Sequence, residues 1–369
     1  MQSTSINAPV NSRYLWADFI RSVGILLVIL GHVSAVVVNR MQLFSRDEWL
    51  SGNIYNVIAR SCVPILFMVS GALLLPKQES LRDFYSKRVK KVILPFIVWS
   101  ILYLAVINQV FSGGIIGGLK TSLLSIVMHP AAYHLWFMYE LLGIYMLTPI
   151  FRIFVNNASR GLVWYFIGIW FLFGAVQRQV EGFFSADLIF ELGYLTGYIG
   201  YFVLGYLLTN IKLTPRLVWT AAITYLFCAA FTVFVTYRVS THAGIVFDYY
   251  QNLLGWNIVL LSVSAYILLR AAALKIFSRP RPQLEKIVLN ISAASFGIYL
   301  IHVFAMGFLN QFSALPLSGP PTLILPVELL LINAPVFVMI PLATLATFAL
   351  SWALISIVQR IPYLRALVA

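Results

Sequence analysis

An apolar stretch near the start of the chain holds three side chains that apolar surroundings do not tolerate alone. The run YLWADFIRSVGILLVILGHVSAVVV, residues 14–38, carries Asp18, Arg21 and His32. On a helix advancing about 100° and about 1.5 Å per residue, Arg21 and His32 fall within about 20° of one face and about 16 Å apart along the axis. Asp18 precedes Arg21 by three residues and shares that face, so its carboxylate can pair with the guanidinium. A lipid-facing seam of this kind would cost several kcal/mol, so it must line a protein interior or a wet cavity. A neutral imidazole there can take a proton from a hydroxyl, which is the task of a general base in acyl transfer. The plainer reading is a histidine hydrogen-bonded between helices.

Other stretches offer partners for that chemistry. NISAASFGIYLIHVF places Ser295, Tyr299 and His302 at steps of four and three, on one helical face, with His302 at a depth similar to that of His32. AAYHLWFMYELLGIYMLTP sets His134 and Trp136 at the rim of a span and Glu140 inside it. A rim tryptophan is commonly an interface anchor. A carboxylate within a span is a candidate functional group, with Arg60 or one of the histidines as its expected partner. The loop PKQESLRDFYSKRVKKVILP, residues 76–95, is rich in Lys and Arg. Such a cluster orients a membrane protein and attracts anionic lipid. It can equally act as a polyphosphate clamp, with Lys87, Arg88 and Lys91 gripping a nucleotide-bearing donor.

The elements that must position these residues are membrane helices. Of 369 residues 61% are hydrophobic and 10% charged, and the mean hydropathy is +0.89. That excludes an ordinary soluble domain. Long apolar runs, rather than alternating ones, favour helices over a barrel. Spans are expected at approximately 15–38, 54–75, 92–111, 134–150, 162–176, 191–208, 217–237, 253–270, 289–309 and 335–358, giving an all-α integral membrane protein of about ten transmembrane helices. The whole chain, 1–369, reads as one domain with an uncleaved first span. A short re-entrant or interfacial helix is expected within 112–133 and a partial one within 313–334. With both termini in the cytoplasm, the clusters from Lys77 to Lys91 and from Arg270 to Lys286 fall inside, and only Arg40, Arg46, Lys120, Arg178 and Arg238 fall outside. The net charge of +13 is then mainly a topology signal, and no nucleic-acid partner is expected. Cys62 and Cys228 lie in apolar runs and read as small buried hydrophobes rather than a disulfide or metal pair.

Taken in order, these pieces resemble the acyltransferase-3 family of membrane O-acyltransferases. The likeness rests on Arg21-x10-His32, on VPILFMVSGALLL beginning at Val63, on SKRVKKVILP, on HLWFMYELLGIYMLTP and on SFGIYLIH, and it covers most of the chain. The resemblance implies an acyl-CoA donor, acetyl-CoA above all, and the hydroxyl of a cell-surface or lipid-linked glycan as acceptor, in a multi-pass protein of the bacterial cytoplasmic (inner) membrane. It implies no metal. It would make His32 catalytic, with Arg21 and Arg88 supporting the donor; Lys87 and Lys91 join them as donor-binding candidates, and Glu140, His134, Trp136, Tyr299 and His302 are the acceptor-side candidates. One departure stands out. The family's loop often reads Arg-x-x-Arg, whereas Arg88-Val-Lys-Lys91 ends in an ammonium, which cannot offer the same bidentate fork. The extra hydrolase-like domain of some members is not expected here. The competing readings are a transporter or flippase for a lipid-linked glycan or proton-coupled solute, and a non-enzymatic scaffold. Against the first stands the lack of paired broken helices in equivalent halves.

Overall fold

The computed structural model describes residues 14–107, 114–184, 197–311 and 334–368, and every regular element among them is helical. The first half comprises α1 Leu15–Val38, α2 Arg46–Ala59, α3 Cys62–Leu74, α4 Leu81–Arg88, α5 Leu94–Ile107, α6 Ile115–Met128 and α7 Trp136–Asn157. After it come α8 Arg160–Ile169, α9 Gln177–Phe184, α10 Ile199–Thr209, α11 Pro215–Ala243, α12 Trp256–Ile276, α13 Pro282–Gln311, α14 Val336–Val358 and the short α15 Pro362–Arg365. Nine stretches among the described residues are long and apolar enough to cross a membrane. They coincide with nine of the ten expected spans. The remaining one, 191–208, contains α10, whose 11 residues are preceded by positions outside the described residues. The helix expected within 112–133 is present as α6. The one expected within 313–334 lies outside the described residues apart from its last position.

Helix α1 is the axis of the bundle. It packs against α2, α3, α12, α13 and α14, and Ile20, Ile25, Ile29 and Val33 are buried along its length. The polar seam occupies the remaining sector. Near its start Asp18 lies 3.7 Å from Arg21 and accepts a 2.6 Å hydrogen bond from the Ser292 hydroxyl of α13, so the expected i, i+3 pair forms and is tied to a second helix. Arg21 and Arg365, which follows α14, line one cavity; the two described chain ends therefore lie at the same end of the bundle.

Prolines set two interruptions that matter for the site. Pro64 has no N–H to offer the carbonyl of Arg60 four residues earlier, and its ring crowds that carbonyl. The span Arg46–Leu74 accordingly breaks between α2 and α3, with the Arg60 N–H closing a tighter turn onto Val57. Pro95 does the same at the start of α5, where the chain widens into a π-helical turn over Val89–Ile93 that carries Lys90 and Lys91.

Two of the described helices, α3 and α10, approach very closely. A Cβ on Gly71 would fall 1.7 Å from the Phe202 carbonyl oxygen, and one on Gly205 would fall 1.8 Å from that of Met68. The two backbones therefore touch, each occupying the space of the other's missing side chain, as small residues permit between membrane helices.

Candidate active site

Three imidazoles meet near one end of the bundle, contributed by three helical segments. His32 of α1 stacks on His302 of α13, with ring centroids 5.1 Å apart and planes at 30°. His134, in the short turn before α7, meets His302 edge-on at 5.0 Å and His32 at 6.4 Å. His302 is fully buried, and its Nδ1 lies 2.7 Å from the Tyr299 carbonyl. A carbonyl only accepts, so that nitrogen carries the proton and Nε2 is left as the acceptor of the neutral ring. The Tyr299 hydroxyl donates to the His134 carbonyl at 2.7 Å, fastening the His134 turn to α13. Nε2 of His302 and both ring nitrogens of His134 are buried without a partner among the described residues. Buried polar atoms in that condition call for an explanation, and a catalytic role or a bridging water would supply one.

A cavity of about 260 Å³ opens beside this cluster, and its walls include Arg21, His32, Arg60, His134, Trp136 and Tyr299. The two ends of the α1 seam thus face one space, as their eleven-residue spacing predicts. Arg60 was expected only as a partner for Glu140. Instead one of its terminal nitrogens donates to Gln251 at 2.7 Å, Gln251 is held in turn by Asn53 at 2.9 Å, and the guanidinium Nε is buried without a partner among the described residues. The helix break before Pro64 is what leaves this side chain at the cavity wall. Glu140 is not brought to the site. It lies exposed on the outside of the bundle while Phe137 and Leu141 of the same helix face the cavity. Cys62 also lines the cavity and is half-buried rather than a core residue.

A second cavity, of about 660 Å³, lies toward the chain ends and includes Lys91, Tyr145, Gln359 and Arg365. It shares Arg21, Ser70, Leu141, Ser295 and Phe296 with the first, so the two cavities adjoin across these side chains, one toward the basic end and one beside the imidazoles. No carboxylate is among the described residues lining this lower chamber. Of the expected donor-binding residues, Lys91 and Arg21 line it. Arg88 stands one layer back, its guanidinium 4.3 Å above the Phe84 ring and 5.5 Å from that of Tyr145. Lys87 is engaged elsewhere.

Its partner is Glu79, which the sequence reading did not single out. Glu79 accepts from Lys87 at 2.8 Å and from Arg152 at 2.8 Å, with Arg88 at 4.0 Å. The Lys87 hydrogen bond, reinforced by Arg152, outweighs the effect of burial and holds the Glu79 carboxyl down to about 2. Because the folded value is depressed, the stabilisation is present above the ordinary value of 4.5 and is lost as pH falls toward 2. At pH 7, Glu79→Gln should lower stability by on the order of 2 kcal/mol, after discounting for the half-exposed Lys87. Thermal melting in detergent should show the gap between wild type and variant closing as pH is lowered through that window. A gap independent of pH would mean that the carboxylate charge is not what holds this corner.

The sequence profile of the acyltransferase-3 family, described as an acyltransferase domain, matches residues 14–356. The chain belongs to the acyltransferase-3 family. No curated protein and no solved structure matches the chain. The match extends from the start of α1 nearly to the end of α14, so this membrane acyltransferase carries its imidazole cluster and most of both chambers within the family domain. Arg365 and the segment around it lie beyond the matched range.

Proposed function

We propose that this protein transfers an acyl group, in the simplest case acetyl, from acyl-CoA to a hydroxyl of a cell-surface or lipid-linked glycan, with His32 as general base. The observation that carries the proposal is a pair of adjoining cavities, a basic chamber lined by no carboxylate among the described residues and, beside it, a pocket walled by His32, His134 and Arg60. Lys91 suits the donor's phosphates as a cation, and Arg21, paired with Asp18 on one side, can offer its other guanidinium N–H groups to them. The pantetheine arm then runs past Ser70 and Ser295 toward His32. Its length is comparable to the roughly 16 Å helical rise from Arg21.

The step balances within these groups. His32 accepts the acceptor hydroxyl's proton as that oxygen attacks the thioester carbonyl, and the negative charge developing on the carbonyl oxygen faces the fixed positive charge of Arg60. The tetrahedral species collapses with cleavage of the C–S bond. The imidazolium returns its proton to the departing thiolate, leaving the glycan ester and free coenzyme A. His302 stacks on the base, and His134, Tyr299 and Trp136 surround the acceptor. The distribution of basic residues supports a donor end and both chain ends on the cytoplasmic side, and a bacterial cytoplasmic membrane is part of the same proposal.

The test joins two measurements. Purified protein in nanodiscs is given acetyl-CoA and release of thiol is followed, while surface glycans from cells with and without the intact gene are compared by mass spectrometry. Thiol release together with a loss of 42-Da increments, the mass of an acetyl group replacing hydrogen, is roughly what acetyl transfer requires. A protein that releases no thiol and leaves glycan masses unchanged is not this enzyme, and a carrier would then be the better description.

A further inference from the structure

The segment after α14 turns back into the bundle instead of leaving it. The Trp99 indole of α5 donates to the Leu367 carbonyl at 3.0 Å, and Val368 is fully buried. Val368 lies against Gly297 of α13, where an added Cβ would come within 3.1 Å of it and within 3.0 Å of Ile355. Helical hydrogen bonds from Leu364 and Arg365 to the Ile361 carbonyl complete the turn. A segment fastened at its far end by a buried side chain and a hydrogen bond has little freedom to swing, and Arg365 just before that anchor lines the lower chamber.

We infer that this pinned segment is a wall of the donor site, and that Arg365 binds a phosphate of the acyl donor together with Lys91 and Arg21. The inference deepens the proposed function and rests on it for the identity of the donor. Three cations from three parts of the chain, α1, the turn before α5 and the segment after α14, converge on one space that no carboxylate lines among the described residues. The ligand chemistry that fits is a cluster of phosphate oxygens. A coenzyme A nucleotide carries several, and an arginine offers a planar fork to them that Lys91 cannot. Because Arg365 lies outside the matched family domain, nothing in the family likeness assigns it this task.

Phosphate oxygens could also come from an anionic lipid headgroup, and the experiment separates the two sources. Binding of coenzyme A to the purified protein is measured by calorimetry in nanodiscs of phosphatidylcholine alone and in nanodiscs containing phosphatidylglycerol. In pure phosphatidylcholine, Arg365→Gln should weaken coenzyme A binding about five- to tenfold, with Arg365→Lys intermediate and Arg360→Gln, a neighbouring cation outside the chamber, unchanged. In turnover the loss should fall on KM for acetyl-CoA and leave kcat nearly intact. If wild type binds coenzyme A and Arg365→Gln binds it equally well, the inference fails and the proposed function stands. If wild type binds no coenzyme A, both fail. If the variant alters only retention of phosphatidylglycerol, the wall faces lipid and the donor assignment of Arg365 is overturned.

Discussion

Replacing His32 by alanine should leave an inserted, folded protein that has lost acyl transfer. Alanine is small and apolar, and α1 keeps Ile25, Ile29 and Val33 buried against its neighbours, so the helix has no reason to leave the bundle. Loss of a general base typically costs about 10²- to 10⁴-fold in rate. Thiol release from acetyl-CoA should fall by that order while the melting temperature stays close to wild type. The stacked neighbour makes the prediction exposed to failure, because His302 lies 5.1 Å away with an unpartnered ring nitrogen. Should the alanine variant work at a near-normal rate, the base is elsewhere, and His302 is the residue the geometry nominates.

Arg60→Gln should reduce kcat by about 10²- to 10³-fold, the usual cost of removing one group aimed at a developing oxyanion. The KM for acetyl-CoA should change little, since the donor's phosphates are expected at the other chamber. Arg60→Lys separates charge from packing. A lysine restores a positive charge without the fork, so partial recovery of kcat is expected if electrostatics is the contribution. If both variants melt early yet keep wild-type kcat, Arg60 is a structural post for Gln251 and Asn53, and its catalytic role is withdrawn.

The helical architecture was legible because membrane spans announce themselves by length and composition, and the Arg21 to His32 seam because helical phase is simple arithmetic. The convergence of His134 and His302 on His32 was readable as a matter of depth, though not as contact, since contact depends on how α7 and α13 rotate about their own axes. Glu140 shows that limit. A carboxylate in a span invites a functional reading, but one position of phase from Leu141 turns it to the outside. Arg60 carried a signal that could have been used, the proline four residues after it, which breaks the helix and frees the side chain for the cavity.

The basic loop illustrates a different obstacle. Charge can be counted along a sequence, whereas the partner that neutralises it cannot. Lys87 and Arg88 looked like a clamp beside Lys91, yet Glu79 holds Lys87 and draws in Arg152 from a helix more than 70 residues away. The π-helical turn before Pro95 then separates Lys91 from them, and Lys91 alone of the three lines the lower chamber. Arg365 had no periodic pattern to mark it, because the segment after α14 is positioned by Trp99 and Gly297, both distant in sequence.

The touching backbones of α3 and α10 have a consequence for how far the walls of the cavities can move. Where each carbonyl fills the gap left by the other helix's glycine, neither helix can slide or roll without a collision, so this seam behaves as a weld. α3 also carries Val63, Leu66 and Ser70 on the walls of the cavity beside the imidazoles. A machine that rocks two halves past each other needs slack along such a wall, and here it is spent. On the proposed reaction, the reach across the bundle would then fall to the flexible arm of the donor rather than to moving helices.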